Sequence, residues 1–182
     1  MKTLRNFLAL STVIIVLSIV NISAQSFAAN SPRAAKTIEQ QIYKKLLGLP
    51  HYGVFDFINY KVVNGTVVLG GKVNSLGTKR DAAAVVKRIP GVVSVVNNID
   101  ELPPSSFDDS IRIQALRTFA RNGLGRYFWE VNPDVRIIVE NSRITLEGYV
   151  INSGDYDRLN IYANSLPNVF SVKNNLVVGS RR

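Results

Sequence analysis

The residue types that carry out most protein chemistry are scarce in this chain. It has no cysteine and one histidine, His51, which excludes disulfides, thiolate metal sites, cysteine nucleophiles and an all-histidine metal site. His51 stands in a predicted loop, without a serine motif or a paired carboxylate nearby in the sequence. Asp155 and Asp157 lie where a helix is predicted to begin, and the helix dipole accounts for carboxylates there. We therefore predict no catalytic residues, no metal site and no cofactor, and expect that the protein is not an enzyme.

A cluster of basic and aromatic residues is the strongest candidate for a binding site. Arg117 and Arg121 are spaced one helical turn apart, and Arg126 is followed by Tyr127 and Trp129. Arginine pairs with phosphate groups, and tyrosine and tryptophan favour the membrane–water interface. We predict that these residues contact a membrane or a partner protein. The alternative is that the aromatic side chains complete a core and that the arginines are only solvated.

The chain is strongly basic, with a formal net charge of +9 at pH 7. A basic protein outside the cytoplasm meets anionic lipid headgroups, cell-wall polymers and acidic proteins, but seldom nucleic acid. The sequence also lacks the G-x-x-G loop of KH-type RNA-binding modules. We therefore expect an anionic phospholipid membrane surface or an envelope protein as the partner, and no nucleic acid. The alternative is that the positive charge only keeps the protein soluble.

The first residues of the chain have the features of an export signal. Lys2 and Arg5 precede an apolar run at 7–20, and small residues suited to cleavage end at Ala28, with Ala24 as a competing position. The apolar run is short for a membrane span and suits a signal peptide. We predict a cleavable signal peptide at 1–28, a flexible leader at 29–36 and a periplasmic protein that, without a cysteine, is not a lipoprotein. An uncleaved anchor is the alternative.

The remainder of the chain contains an internal repeat. Residues 62–99 and 139–176 align at a constant shift of 77 residues without a gap, and about a third of the positions are identical. Such a repeat indicates tandem copies of one structural unit. We place the first domain at 37–101 and the second at 107–179, joined by a Pro/Ser linker at 102–106. The oligomeric state and the relative orientation of the domains stay open.

Each copy is predicted to read helix, strand, strand, helix, strand. In the first copy we expect a helix at 38–47, strands at 57–63 and 66–73, a helix opening at Thr78 and a strand at 92–99, which corresponds to 169–178 in the second copy. The predicted fold class is α+β: two tandem small domains, each α-β-β-α-β with a three-stranded sheet covered by two helices.

Turn residues and glycines support this reading. Asn64-Gly65 is a strong hairpin signal, because both turn positions must accept positive φ. Gly71 and Gly148 fall on the inward face of the return strand, where a glycine indicates close approach by another backbone. We expect that backbone to be the following helix as it crosses the sheet. A ligand that approaches the strand is the alternative.

The second domain is predicted to open with a helix after the linker. Ser106 and Asp109 can cap its start, and the helix is expected to end near 122–123. We predict that its buried stripe consists of Ile113, Leu116 and Ala120, with Phe119 at the edge.

The repeated motif resembles a known domain. The succession N-G-x-V-x-L-x-G-x-V, an amphipathic helix and P-G-V-x-S-V-x-N-N-I is similar to the BON domain (bacterial OsmY and nodulation domain), twice over. The second copy departs from the motif at Ser142 and Asn168, where the first has glycine; asparagine tolerates left-handed geometry. The resemblance implies a periplasmic double-BON protein linked to osmotic or envelope stress, phospholipid binding and chaperone-like roles, and it supplies no catalytic residues.

We therefore expect a non-enzymatic periplasmic envelope protein that binds anionic phospholipid surfaces. The alternative is a chaperone or protein-interaction module, in which a strand edge or a hydrophobic groove receives a partner strand.

Overall fold

The computed structural model describes residues 32–128 and 132–179. The first domain comprises α1 (Pro32–Leu47), β1 (Phe57–Val63), β2 (Thr66–Val73), α2 (Thr78–Lys87) and β3 (Ser94–Glu101). The second comprises α3 (Ser106–Phe119), two short helical turns (Ala120–Leu124 and Gly125–Phe128), β4 (Val135–Glu140), β5 (Arg143–Val150), α4 (Ser153–Asn164) and β6 (Ser171–Val178). The predicted α+β class with two tandem α-β-β-α-β domains is confirmed.

Both sheets have the same topology. The order is β1-β2-β3 in the first sheet and β4-β5-β6 in the second, so the return strand of each hairpin is central. The hairpin strands pair antiparallel, and the third strand pairs parallel to the central one. Parallel pairing follows from the helix between them, because the chain must cross back before the last strand can begin. Both third strands start two residues later than predicted.

One face of each sheet carries the core. On β2, Val67, Leu69 and Val73 are fully buried, as their alternation predicts. The residues that pack over them come from α1 and α2 at helical spacing: Ile38, Ile42, Leu46, Ala82 and Val86. The second domain repeats this with Ile144, Leu146 and Val150 under Ala115, Phe119, Leu159 and Ala163.

The glycine in each central strand lies against its hairpin partner, so the expected contact with a helix is wrong. A Cβ atom at Gly71 would collide with the carbonyl oxygen of Phe57, and one at Gly148 with that of Asp134. Both glycines also have positive φ, 109° and 120°. The start of the first strand therefore occupies the space that a side chain would need, and only glycine fits.

The two hairpin turns reach the same geometry with different residues. Asn64 and Gly65 have φ of 49° and 76°, and Asn141 and Ser142 have φ of 50° and 61°. A serine in this region is strained. Two hydrogen bonds stabilise the second turn: the buried carboxylate of Asp108 accepts them from the amides of Asn141 (3.0 Å) and Ser142 (2.9 Å). This contact from α3 compensates for the missing glycine.

The first helix begins earlier than predicted. α1 starts at Pro32, so most of the expected flexible leader at 29–36 belongs to the helix. Proline is favoured at the first helical position, and the Arg-Ala-Ala-Lys sequence after it has high helix propensity.

The buried face of α3 is also different from the prediction. Its buried side chains include Ile111, Ala115 and Phe119, whereas Ile113 is 38% exposed. Arg112 lies on the buried side, where its guanidinium donates to Asp109 and to the carbonyl oxygen of Val139. Because Arg112 is charged, the spacing of apolar residues did not indicate that this side of α3 is the buried one. The N-cap is Ser105, one residue before the expected cap, and its hydroxyl accepts from the amide of Asp108 at 3.2 Å.

The two domains are joined by a segment of the first that lies against the second. Val54 and Phe55 pack on the core of the second domain, and the carbonyl oxygen of Val54 accepts a hydrogen bond from the amide of Ile137 on β4 at 2.8 Å. Asp56 holds the segment in shape, because its buried carboxylate accepts from the amides of Gly53 (2.8 Å) and Asn74 (2.7 Å). The linker 102–106 is therefore not the only connection between the domains.

None of the described helices is long and apolar enough to cross a membrane. The predicted signal peptide at 1–28 lies outside the described residues.

We expect that Gly71→Ala destabilises the protein by at least about 2 kcal/mol, because the substitution combines positive φ with a backbone collision. Urea unfolding measures the loss. Gly70→Ala is the matched control, since its Cβ meets only the side-chain oxygen of Asn59, at 2.8 Å, which can rotate away. Equal losses in the two variants would contradict the assigned backbone constraint.

Candidate functional site: a basic patch on the helices of the second domain

The structure separates the predicted site residues into surface and core. Arg117 is exposed on α3, Arg121 in the helical turn Ala120–Leu124 that continues it, and Arg126 in the next turn. Tyr127 is only 1% exposed, so its ring cannot lie against a membrane or partner. Trp129 lies outside the described residues. The arginines therefore present the candidate surface, and Tyr127 supports it from inside.

A kink after α3 brings Arg126 to this place. Asn122 and Gly123 leave helical geometry, with Gly123 at a φ of 76°, which a glycine adopts without strain. The next turn buries Phe128, whose ring stacks on Phe119 with 5.4 Å between centroids. The aromatic side chains at 127 and 128 are buried. Arg126, which lies between the kink and these residues, therefore points outward. The predicted helix end near 122–123 agrees with the kink.

One buried carboxylate organises the site. Asp155, in the first turn of α4, is 4% exposed and accepts hydrogen bonds from the hydroxyl of Tyr127 (2.6 Å), the guanidinium of Arg126 and the side-chain amide of Asn152 (3.1 Å). The hydrogen bond from Tyr127, assisted by Arg126 and opposed by burial, lowers the pKa of Asp155 below its ordinary value of 3.8. Asp155 is therefore ionised at neutral pH and ties α4 to the turn after α3.

Arg158 completes the site and was missed by the sequence analysis. One of its guanidinium nitrogens donates to Asp155 at 3.3 Å, and the other donates to the carbonyl oxygen of Asn122 at the end of α3. Its position three residues after Asp155 on a helix was a usable signal. We call Arg117, Arg121, Arg126 and Arg158 the basic patch.

The charges of Arg126 and Arg158 are only partly balanced by the acid that they share. Arg126 and Arg158 share one acidic partner, the buried Asp155, so two positive charges meet one negative charge there. Exposed apolar side chains stand beside them. Ile113 precedes Arg117 by one turn of α3, and Ile161 of α4 is 61% exposed. Cations next to protruding aliphatic side chains suit a surface that is both anionic and apolar.

The first domain keeps one of the four basic positions: at the shift of 77 residues Arg121 corresponds to Lys44, and Arg117 to Gln40. At the shift of 77 residues, Arg126 and Tyr127 correspond to Leu49 and Pro50, and Arg158 corresponds to Asp81. The complete set of four basic residues is thus found only in the second copy.

The arrangement favours binding over catalysis. Guanidinium groups donate several hydrogen bonds in a fixed geometry to phosphate or carboxylate oxygens. Among the described residues, no group of three or more histidines, cysteines or acids could hold a metal ion.

We expect Asp155→Asn to lower the free energy of unfolding at pH 7 by about 2 kcal/mol, because charge-assisted hydrogen bonds to a buried group are lost. A carboxyl group whose pKa is lowered in the folded state stabilises the protein above its unfolded pKa, and this contribution disappears as the pH falls through the folded pKa. The difference between the variant and the wild type should therefore shrink below about pH 4.

Urea unfolding at pH 7 and pH 3 measures this difference. Asp157→Asn, an exposed carboxylate on the same helix, is the control and should change stability by less than about 0.5 kcal/mol. A loss for Asp155→Asn that does not depend on pH would contradict the role of its charge.

Both halves of the chain match one family model. The BON domain model matches residues 34–103 and again residues 114–180. No curated protein sequence matches the chain significantly. Among solved structures, the chain is similar to CdsD, a structural protein of the type III secretion system of Chlamydia trachomatis, at 13% identity and a TM-score of 0.32, over 79% of this chain and 92% of that chain. A structure of the C-terminal domain of CdsD is similar at 13% identity and a TM-score of 0.32, over 78% of this chain and 96% of that one.

Proposed function

Because this chain belongs to the BON domain family, we propose that it is a non-enzymatic protein of the bacterial cell envelope that binds anionic phospholipid surfaces through its second domain. Membership of the family supports a non-enzymatic, membrane- or envelope-associated role in general. The lipid, the binding surface, the periplasmic location and a role in osmotic or envelope stress belong to the proposal.

The observation that carries the proposal is the basic patch with its exposed aliphatic neighbours. Arg117 is exposed on α3 and Arg121 in the helical turn after it, and the exposed Ile113 lies one turn before Arg117. Arg126 and Arg158 converge on Asp155 from two different elements, so their guanidinium groups are held beside each other. A membrane surface presents many phosphate groups and can therefore meet several exposed arginines at once, which a small anion cannot.

The expected affinity is weak and sensitive to salt. Each basic residue near an anionic membrane contributes about 1 kcal/mol, and the attraction fades over a distance of about 10 Å at moderate ionic strength. Reversible attachment would leave the protein able to exchange between the membrane and solution.

The tested variant replaces Arg117 and Arg121, because these two arginines of the basic patch make no hydrogen bond to Asp155 or Asn122. We expect the double substitution Arg117→Gln and Arg121→Gln to weaken binding to phosphatidylglycerol vesicles about 30-fold, as the loss of about 2 kcal/mol implies. Co-sedimentation with vesicles at low salt measures the bound fraction. Binding should also disappear at about 0.5 M salt, where the charges are screened, and with vesicles of phosphatidylcholine alone.

The matched control is Lys87→Gln with Arg88→Gln, which removes the same charge from an exposed position at the end of α2 in the first domain. This control should bind nearly as well as the wild type. Equal weakening in both double variants would mean that net charge and not the patch drives binding. Absence of binding by the wild type at low salt would refute the proposal.

A further inference from the structure

A cavity lies between the two domains, away from the basic patch. Residues of α1 and β1 form one wall, and residues around the start of β4 and the end of β5 form the other. Its volume is about 450 Å³, within the range of about 300–1,000 Å³ found for ligand pockets, which often lie between domains. None of the four arginines of the basic patch lines it, so the two sites are separate.

Aromatic rings form much of the cavity wall. Five aromatic residues line it: Tyr43 of α1, Tyr52 of the loop before β1, Phe57 and Tyr60 of β1, and Tyr149 of β5. The hydroxyl of Tyr60 donates to the carbonyl oxygen of Glu39 at 3.1 Å, and the hydroxyl of Tyr43 accepts from the side-chain amide of Asn132 at 3.1 Å. These hydrogen bonds hold the rings in place before a ligand arrives, which lowers the entropic cost of binding.

One of these rings already contacts a cation. The guanidinium carbon of Arg136 lies over the ring of Tyr52, 4.6 Å from its centroid. The same guanidinium donates to the carbonyl oxygen of Gly53 at 2.5 Å, and Arg136 is 4% exposed. Its positive charge is therefore engaged within the wall, at the Tyr52 end of the cavity. The faces of aromatic rings attract cations, and the attraction is stronger where water is excluded.

A carboxylate lies at another part of the cavity. Glu39 precedes Leu46 by two turns of α1, about 10 Å along the helix axis, whereas Tyr52 follows the end of α1. Glu39 is exposed, and within the described part of the chain its carboxylate makes no hydrogen bond or ion pair. Burial, followed by the charge of Glu39, raises the pKa of Tyr60. The Tyr60 hydroxyl therefore stays protonated, and the negative charge of Glu39 acts on this part of the wall.

The charges of the lining favour a cationic ligand. Two acids, Glu39 and Asp134, line the cavity together with one base, Arg136, and the described lining contains no lysine. The chain as a whole has a net charge of +9, so the cavity is opposite in sign to the rest of the molecule. Aliphatic side chains, including Leu47 and Ile58, complete the lining. Aromatic rings beside an acid and aliphatic groups suit an ammonium ion that carries alkyl groups.

We infer that this cavity binds a small soluble quaternary ammonium compound. The alkylated ammonium group lies among the rings of Tyr43, Tyr60 and Tyr149, and the carboxylate of Glu39 balances its charge. A quaternary ammonium group has no hydrogen to donate, so it needs ring faces and a negative charge in place of hydrogen-bond acceptors. This binding activity does not depend on the proposed lipid surface, because it uses different residues.

The probe is choline, added to the purified ¹⁵N-labelled protein without lipid. We expect amide shifts at 39–47, 57–60 and 148–149 that saturate with a dissociation constant of roughly 0.1–10 mM, since so small a ligand makes few contacts. The uncharged isostere of choline, in which carbon replaces the nitrogen, keeps the shape and loses the charge. It should bind at least about tenfold more weakly, because the cation–π attraction and the pairing with Glu39 are both lost.

The tested variant is Glu39→Gln, which removes the charge at an exposed position and keeps the size of the side chain. It should weaken choline binding about tenfold, because the ammonium group loses its anionic partner. The matched control is Asp100→Asn, which removes an exposed acid of β3 outside the cavity and should bind choline as the wild type does. Equal urea midpoints verify that both variants are folded.

Four results would overturn the inference. Absence of saturable shifts with choline would show that the cavity takes no such cation. Equal binding of the uncharged isostere would mean that only shape is selected, and equal weakening by both variants would mean that net charge and not Glu39 attracts choline. Recruitment to phosphatidylcholine vesicles that Glu39→Gln abolishes would assign the site to a lipid headgroup and not to a soluble compound. Because the titration contains no membrane, its failure leaves the lipid experiment unaffected.

Discussion

In each domain, a backbone carbonyl group occupies the space into which a side chain of the central strand would project. The carbonyl oxygens of Phe57 and Asp134 lie against Gly71 and Gly148, and the strands can approach so closely only because glycine is there. A slip of one residue would bring a side chain into that space and would also turn the buried face of the strand outward. The register of the hairpin, the core above it and the placement of both helices therefore depend on this one approach.

The repeat and the hairpins could be predicted because they rest on local rules, namely turn residues with positive φ and alternation along a strand. The buried face of α3 could not be predicted, since the charged Arg112 lies on it and is held there partly by the carbonyl oxygen of Val139, which is distant in the sequence. The burial of Tyr127 and the role of Arg158 depend on Asp155, which ties α4 to the turn after α3. Docking of Val54 on the second domain has no local signature at all. The periodicity of the sequence can indicate that a side chain is buried. Which residues it packs against depends on contacts between segments that are distant in the sequence.

The two domains share one fold and differ in the side chains on their surfaces. The basic patch belongs to the second domain, because the first has Asp81 where the second has Arg158. The cavity beside α1 and β1 is lined mainly by the first domain, and Asp134, Arg136, Gly148 and Tyr149 of the second domain complete its wall. Duplication thus gives one chain two surfaces of different chemistry, one cationic and one apolar, without any change in the fold.

The contact between the 53–56 segment and the second domain can form only late in the synthesis of the chain. Residues are added from the amino terminus, so the first domain is complete before β4 has been made. During that interval Val54 and Phe55 have no site to occupy, and two hydrophobic side chains remain in contact with water. A chain that ends after the first domain would therefore keep Val54 and Phe55 without the core that they pack against in the complete protein.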